Sequence, residues 1–448
     1  EPVAHGERWR GLLPREAFYV TRELPGAVSF RRRLERGQAV ETALDRAARL
    51  TAALGNHGLY HLDYHAENIL MRPDRAGALP HLMDLHDLRR RRVTAGRMRR
   101  MLADLAHSAD LPALERGRWP DFVRTVLARW TGAGEPLKDD VRRWCRAVER
   151  HIRNKERDRL RRRTHRCVKE STTFTSDTTA RFRVYRRRDF PVQAAINAAR
   201  RHDRALGPRD ADGRVLLEGA GGALTVVPSD SVPRVGDHRP CPPGQRTAGP
   251  VCVRSVHARN AGERLKDRLR PRSRAVKRWI ALQGFAVRGV PAPRPIAVLE
   301  ARCLRGGDRD YMVMEGFEGA ETLETSLEQS SPSRHRREMA RQLGGLLSRL
   351  HAADVAYPDL SPRNLLVVRG GAGPAVRLLD AERVRFEEPA GRERLEGWLS
   401  RLDRSAPSRV TELDRLRCLR ACGRGRWSAG EEKAVARRVR RRHGLQEE

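Results

Sequence analysis

Two stretches of this 448-residue chain carry the same three polar residues at the same spacing. In each stretch an aspartate is followed five residues later by an asparagine and 21 residues later by a second aspartate. Transfer of a phosphoryl group needs a carboxylate that accepts the proton of the attacking hydroxyl, and oxygen ligands that hold Mg2+ against nucleotide phosphates. The spacing therefore predicts phosphoryl transfer chemistry. The residues are Asp63, Asn68 and Asp84 in the first stretch and Asp359, Asn364 and Asp380 in the second.

The order of these residues predicts their roles. It is the order of a kinase catalytic loop and of the metal-binding turn that comes after it. We expect the first aspartate of each stretch, Asp63 and Asp359, to be the catalytic base. The predicted Mg2+ ligands, next to bound ATP, are Asn68, Asp84, Asn364 and Asp380. One such spacing arises often by chance, whereas two identical copies are a much stronger signal.

The similarity between the two halves extends beyond these residues. GLYHLDYHAENILM at 58–71 parallels DVAYPDLSPRNLLV at 354–367, an offset of 296. Upstream, residues 1–7 and 18–27 parallel residues 294–300 and 311–320 at an offset of 293. The repeat predicts two homologous domains in tandem, at 1–165 and 166–448. With the second copy as the measure, we expect about a hundred residues of a complete first domain to lie before Glu1.

Hydrophobic patterns predict the elements that position each motif. Apolar residues at helical spacing over 33–54 and 334–350 predict a helix before each motif. Short apolar runs at 69–71 and 365–368 predict a strand after it. Mainly helical stretches come next, at 98–163 and 392–443, whereas 181–185 and 223–227 are typical of strands. Residues 228–250 are rich in Pro and Gly and predict a loop.

The motifs resemble those of the kinase-like superfamily, and within it the lipopolysaccharide kinases that phosphorylate heptose or Kdo sugars. LYHLDYHAENILM with LMDLHDLRR is similar to that family's catalytic loop and metal turn, and residues 272–300 are similar to its helix before the fourth strand. The resemblance covers 1–163 and about 181 to the C-terminus. It implies an α+β fold of tandem bilobal kinase-like domains, each with a small antiparallel β N-lobe and a helical C-lobe. The second N-lobe is expected at about 181–320 and its C-lobe at 321–448, and the first copy is expected to keep only the hinge and C-lobe.

The same resemblance implies a function. The enzyme would be an ATP- and Mg2+-dependent kinase whose acceptor is a sugar hydroxyl of a membrane glycolipid. His61 lies where the family has its catalytic-loop histidine. His65 and Glu67 are expected to be polar loop residues rather than ligands.

The second copy departs from the kinase pattern at the nucleotide-binding end. Arg254 stands at the strand-lysine position and is the expected ATP-binding residue there, although its planar fork binds phosphate differently from lysine. The helix at 273–288 contains no acidic partner, 228–249 has no G-x-G-x-x-G cradle, and Pro358 precedes Asp359. These departures leave open a pseudokinase-type binding or scaffolding module, especially for copy two.

A further alternative keeps the fold and changes the acceptor. Asp63, His65 and Asn68 match the D-x-H-x-x-N loop of aminoglycoside and choline phosphotransferases. The DLHDLRR sequence favours the lipopolysaccharide group, because it resembles that family's metal turn.

The composition of the chain limits the classes of partner that it is expected to bind. The net charge is +34, but 85 of the 91 basic residues are arginine, a bias that GC-rich coding also produces. Aromatic residues form only 5% of the chain and do not accompany the basic clusters. Few side chains could therefore stack on nucleic-acid bases, and no nucleic acid is expected as a partner. Peripheral contact with an anionic membrane surface is the better hypothesis. Seven scattered cysteines without a C-x-x-C pair, and no long apolar run, predict a cytoplasmic protein, with a peripheral position at the inner face of the membrane as the expected variant.

Overall fold

The computed structural model of the protein describes most of the chain. The described residues are 2–10, 13–21, 23–37, 39–72, 79–111, 118–132, 140–207, 213–219, 222–229, 249–257, 271–301, 309–329, 333–370, 373–386, 391–407, 409–424 and 427–444. The chain forms two compact units, Glu1–Asp158 and Arg159–Glu448. Within the described residues, every helix is too short or too polar to cross a bilayer.

Unit one contains short antiparallel ladders and a set of helices. Its strands pair as β1 with β2, β3-β5-β6, and β4 with β7. The strands are β1 (Pro2–Arg10), β2 (Leu13–Thr21), β3 (Val28–Ser29), β4 (Leu59–His61), β5 (Ile69–Met71), β6 (His81–Leu82) and β7 (Leu88–Arg90). The helices are α1 (Phe30–Glu35), α2 (Val40–Asn56), α3 (Ala95–Ser108) and α4 (Arg118–Arg129), and α5 (Val141–His165) begins in this unit.

The core of unit one follows from the helical pattern of α2. Apolar residues recur every three or four positions along α2 and are buried, among them Ala43, Leu44, Ala47 and Leu54. They share one hydrophobic cluster with residues of β5, α3 and α4. This core holds both ends of the loop that carries the first polar motif, since β4 and β5 flank that loop.

Unit two begins with a seven-stranded antiparallel sheet in the order β10-β11-β12-β14-β13-β9-β8. Helix α6 (Val192–Ala205) packs on one face and α7 (Arg274–Val287) on the other. Along the third strand in that order, Val251 and Val253 face the α6 side and Cys252 and Val256 face the α7 side, as strand alternation requires. The strands are β8 (Phe174–Thr178), β9 (Phe182–Arg187), β10 (Arg214–Gly219), β11 (Gly222–Ser229), β12 (Gly249–Val256), β13 (Pro295–Ala301) and β14 (Asp310–Glu315).

The rest of unit two is mainly helical. Its strands form the ladders β15-β17-β18 and β16-β19. The strands are β15 (Glu321–Thr322), β16 (Val355–Ala356), β17 (Leu365–Gly370), β18 (Gly373–Leu378) and β19 (Arg385–Phe386). The helices are α8 (Leu323–Glu328), α9 (Ser333–Ala352), α10 (Arg392–Arg404), α11 (Glu412–Gly423) and α12 (Ala429–Gly444).

The strand registers of the two units correspond. In unit one Pro2 pairs with Thr21, and the register shifts before Ala4 pairs with Val20. In unit two the pairs Pro295–Met314 and Ala297–Val313, with the same shift between them, lie 293 positions further on. The ladder β3-β5-β6 likewise has the same order as β15-β17-β18. The side chains of Ser29 and Thr322, also 293 apart, cap α1 and α8.

Most of the predicted elements are confirmed, with one clear exception. The strands at 69–71 and 365–368 and the helix at 334–350 appear as β5, β17 and α9. The single helix predicted over 33–54 is wrong, because the chain has α1 and α2 there. Gly37 adopts a φ of 64°, a left-handed conformation that ends α1. Within the predicted loop at 228–250, residues 230–248 lie outside the described part of the chain.

Candidate active site

His61 joins the two loops that carry the unit-one motif. Its ring is fully buried. Nδ1 accepts a hydrogen bond from the backbone N–H of Asp63 at 3.2 Å, and Nε2 lies 3.1 Å from the carbonyl oxygen of Asp84. An accepting Nδ1 leaves the proton of a neutral imidazole on Nε2, which then donates to Asp84. One side chain thus fixes the backbones at the predicted base and at the predicted metal ligand.

Asn68 makes a second connection between the same loops. Its amide Nδ2 donates to the carbonyl oxygen of Asp63 at 3.2 Å. The backbone carbonyl oxygen of Asn68 accepts a hydrogen bond from the N–H of Met83 at 2.8 Å. Because Nδ2 is directed at the loop, the amide oxygen Oδ1 remains available as a ligand.

The carboxylates of unit one are open to solvent and lie beside histidines. Asp63 Oδ1 is 2.7 Å from His65 Nε2, and the Asp63 side chain is 49% exposed. The Asp84 side chain is 41% exposed and pairs with His86 Nδ1, while His86 Nε2 lies 3.4 Å from Asp87. Asp84 has a φ of 61°, a left-handed conformation that costs a non-glycine residue about 1 kcal/mol. Backbone strain of this kind is concentrated at functional sites.

Unit two repeats the asparagine connection. Asn364 Nδ2 donates to the carbonyl oxygen of Asp359 at 2.8 Å, and Leu379 N–H donates to the Asn364 carbonyl at 2.9 Å. Tyr357 stands where His61 stands in unit one, 296 positions earlier. Its ring is buried, its carbonyl oxygen accepts from Trp398 Nε1 at 3.0 Å, and its hydroxyl has no hydrogen-bond partner among the described residues.

Asp380 lies in an ionic cluster that is largely buried except at Glu382. We call this cluster the arginine cage: Arg254, Arg278, Asp380 and Glu382. Arg254 Nη2 is 3.1 Å from Asp380 Oδ2, and Arg278 Nε is 3.8 Å from Asp380 Oδ1. Arg278 Nη2 pairs with Glu382. Asp380 Oδ1 also accepts from the N–H groups of Ala381 at 2.6 Å and Glu382 at 3.0 Å. Burial alone would raise the pKa of Asp380, but the two guanidinium groups and the two N–H donors outweigh it and hold the pKa below its ordinary value.

The two units therefore differ in their fit to a divalent cation. In unit one, Asn68 Oδ1 and the exposed Asp84 carboxylate are hard oxygen donors of the kind that Mg2+ prefers. In unit two, both oxygens of Asp380 already accept hydrogen bonds or ion pairs, and two cationic side chains lie beside them. The residues of unit one fit the metal, and those of unit two do not.

Three residues of these sites cannot be found by sequence reasoning. The sequence shows that the helix at 273–288 lacks an acid, but not that Arg278 points at Asp380 from it. Glu382 and Tyr357 flank the predicted residues in sequence, and neither has a motif of its own. Only the fold brings Arg278 and Glu382, 104 positions apart, into contact.

Comparison with known proteins identifies the family. The model of the lipopolysaccharide kinase (Kdo/WaaP) family matches residues 1–125 and 258–421, which is more than half of the chain. The chain belongs to the lipopolysaccharide kinase (Kdo/WaaP) family. The two matched ranges each contain one aspartate–asparagine–aspartate motif. Membership of a kinase family implies an ATP-dependent phosphotransferase, which agrees with the chemistry expected from the motifs.

Two further comparisons concern individual proteins. The comparison with curated proteins gave no match. Among solved structures, the chain is similar to one described as WaaP in complex with acyl carrier protein, at 18% identity and a TM-score of 0.34. The similarity covers 55% of the present chain and 97% of the other chain.

Proposed function

We propose that this protein transfers the γ-phosphate of ATP to a sugar hydroxyl of a membrane glycolipid of the heptose or Kdo type, and that unit one is the catalyst. One observation carries the proposal. In unit one, His61 and Asn68 hold the loops of Asp63 and Asp84 together by four hydrogen bonds, two from each residue. The base and the metal ligand of a phosphotransferase must be fixed relative to each other in this way.

The roles in unit one follow from the donor chemistry. The Asp63 carboxylate accepts the proton of the acceptor hydroxyl as that oxygen attacks the γ-phosphorus of ATP, and the bond from this phosphorus to the β,γ-bridging oxygen breaks to release ADP. His65, 2.7 Å from the carboxylate, orients it. Asn68 and Asp84 would hold Mg2+, which would neutralise charge on the phosphate oxygens. The half exposure of Asp63 leaves room for a hydroxyl to reach it.

We further propose that the units are tandem copies of one kinase-like domain, divided at about residues 165 and 166. Support comes from the β1–β2 and β13–β14 registers, which agree at an offset of 293. The repeated asparagine hydrogen bonds agree at an offset of 296.

A non-catalytic role is the better proposal for unit two. The arginine cage holds Asp380, the would-be metal ligand, by ion pairs on both oxygens. Asp359 is paired with Arg383 at 3.6 Å. Both the predicted base and the predicted metal ligand of unit two therefore lie beside a cationic side chain. Unit two then acts as a pseudokinase-type binding module.

The site of action that suits this acceptor is the cytoplasmic face of the membrane. The support is the net charge of +34, which attracts anionic lipid phosphates. Helix α5 concentrates that charge, with exposed arginines at 142, 143, 146, 150 and 153.

The deciding experiment is turnover of the full-length protein with radiolabelled ATP, Mg2+ and a heptose- or Kdo-containing acceptor. Asp63→Ala should lower turnover by about 10²- to 10⁴-fold, because it removes the general base, while Asp359→Ala should leave turnover unchanged. Turnover that is unchanged in both variants would overturn the kinase proposal. Phosphorylation of an aminoglycoside or choline in place of the glycolipid would overturn the proposed acceptor class.

A further inference from the structure

The arginine cage contains more hydrogen-bond donors than acceptors. Arg278 is 4% exposed, and its Nε and Nη1 have no hydrogen-bond partner among the described residues. Nη1 of Arg254 is buried and unpartnered in the same way. A guanidinium group has five N–H donors in a fixed plane, and a buried donor left without an acceptor costs about 1–3 kcal/mol. Unsatisfied donors at this density indicate a site for an anionic acceptor.

Three elements bring these donors together. Arg254 lies on β12 and Arg278 on α7, and the ion pairs of both residues meet at Asp380, just after β18. Asp380 contacts Arg254 at Nη2 and Arg278 at Nε, and Glu382 contacts Arg278 at Nη2. The Nη1 donors of both guanidinium groups have no hydrogen-bond partner among the described residues. The planar fork of arginine matches the oxygens of a phosphate group.

The hydroxyl of Tyr357 is a further unpartnered donor in the same region. Burial raises the pKa of Tyr357 well above its ordinary value, and the charges of Asp380, Arg254 and Asp359 also act on it. The phenol is therefore neutral and keeps its proton. A phosphate oxygen among these groups would accept from the phenol and from both arginines.

A divalent cation does not suit this arrangement. Asp380 Oδ2 pairs with Arg254, and Oδ1 accepts two backbone N–H groups. A metal ion would have to displace these partners and then lie beside two guanidinium cations. The positive charge available at this position is therefore that of Arg254 and Arg278.

We propose that unit two binds the phosphate groups of a nucleotide without a divalent cation, on the guanidinium groups of Arg254 and Arg278. The inference rests on the proposed kinase-like nature of unit two. It adds that a second arginine, Arg278, takes the place of the metal ion in the nucleotide site of this unit. Unit one keeps the metal-dependent site, so one chain carries two nucleotide sites of opposite metal requirement.

The test is ATP binding to the full chain carrying Asp84→Asn, which removes the metal-binding carboxylate of unit one. Binding is measured by calorimetry, once with excess EDTA and once with Mg2+. We expect similar affinity in both buffers. In EDTA, adding Arg278→Gln should weaken ATP binding about tenfold or more, since charge-assisted hydrogen bonds are lost.

Lys277→Gln is the matched control, because it removes a positive charge from the same helix at an exposed position, and it should leave the affinity unchanged. If Arg278→Gln does not fold, Arg254→Lys, which keeps the charge but loses the fork, should weaken binding in its place. Binding of ATP that requires Mg2+, no binding in either buffer, or binding in EDTA unaffected by the arginine variants would each overturn the proposal. This experiment measures binding and not turnover. An absence of turnover in the glycolipid assay, together with ATP binding in EDTA, would therefore refute the kinase proposal and leave this one standing.

Discussion

Arg254 Nη2 lies 3.1 Å from Asp380 Oδ2, and both side chains are largely buried, at 17% and 14% exposure. The first residue lies on β12 of the seven-stranded sheet, and the second lies in the turn after β18, where the sequence predicts a metal ligand. The contact places a cationic side chain of the protein at that predicted ligand. The dependence of stability on this buried pair can be measured.

Asp380→Asn should destabilise unit two by roughly 3 kcal/mol. The substitution leaves Arg254 largely buried without the carboxylate it contacts and leaves Arg278 with Glu382 alone. An uncompensated buried charge is among the costliest defects in a fold. The measurement is the free energy of unfolding by denaturant titration, with a tryptophan of unit two as the reporter.

Asp84→Asn is the matched control in unit one. Its carboxylate is 41% exposed and its ionic partner is a surface histidine, so the loss should stay below about 1 kcal/mol. Asparagine also tolerates the left-handed backbone at this position. Equal losses in the two variants would contradict the importance of the buried pair.

Tyr357→Phe should leave stability unchanged or raise it slightly. The hydroxyl it removes is buried and has no hydrogen-bond partner among the described residues, so only a desolvation cost is lost. His61→Phe, at the corresponding position of unit one, should cost about 1–3 kcal/mol, because Asp63 N–H and the Asp84 carbonyl lose their partner. Thermal unfolding of both variants decides this, and a larger loss for Tyr357→Phe would show that the hydroxyl has a partner.

Local features of the site are predictable from the sequence. The repeated spacing of five residues predicts a loop in each unit, and in both loops the asparagine amide donates to the carbonyl oxygen of the aspartate. The strand β12 and the helix α7 are also predictable from apolar periodicity. Arg278 is not, because one arginine among 85 carries no local signal and its partners are 102 and 104 positions away in sequence.

The division of the helix before the first motif shows a second limit. Apolar spacing over 33–54 fits one helix, but Gly37 and Ala39 both have positive φ values, of 64° and 46°. Glycine at a helix end and glycine inside a helix leave the same hydrophobic pattern. Periodicity therefore places the core face of a segment and leaves its interruptions undetermined.

The stability of unit two should fall as the pH is lowered from about 6.5 towards 4 because of His202. Burial, with a smaller contribution from Arg309, lowers the pKa of His202 from 6.5 to about 4, against the opposing charge of Asp203. The unfolded chain then takes up a proton that the folded chain refuses, so the stabilisation is complete above pH 6.5 and is lost as the pH approaches 4.

Comparison with His202→Asn isolates this effect, since the amide does not titrate and can still pair with Thr225, which His202 Nδ1 meets at 2.8 Å. The unfolding free energy of the wild type should drop more than that of the variant between about pH 7 and about pH 4.5. Parallel pH profiles would show that His202 does not couple protonation to folding.

Gly344 and Gly345, adjacent residues of α9, should respond in opposite directions to substitution by alanine. A Cβ on Gly344 would meet α11, lying 2.7 Å from Ala421 Cβ and 2.9 Å from Cys422 N and also clashing with the Cys418 carbonyl oxygen. Such distances force two packed helices apart, at a cost of about 1–3 kcal/mol.

A Cβ on Gly345 has no atom within 4 Å. Gly345→Ala should therefore stabilise the helix by roughly 0.5–1 kcal/mol, because alanine loses less backbone entropy. Both variants add the same methyl group to the same helix, so the difference in their unfolding free energies reports only the approach of α9 to α11. A loss for Gly345→Ala as large as that for Gly344→Ala would mean that the two helices are not packed at this distance.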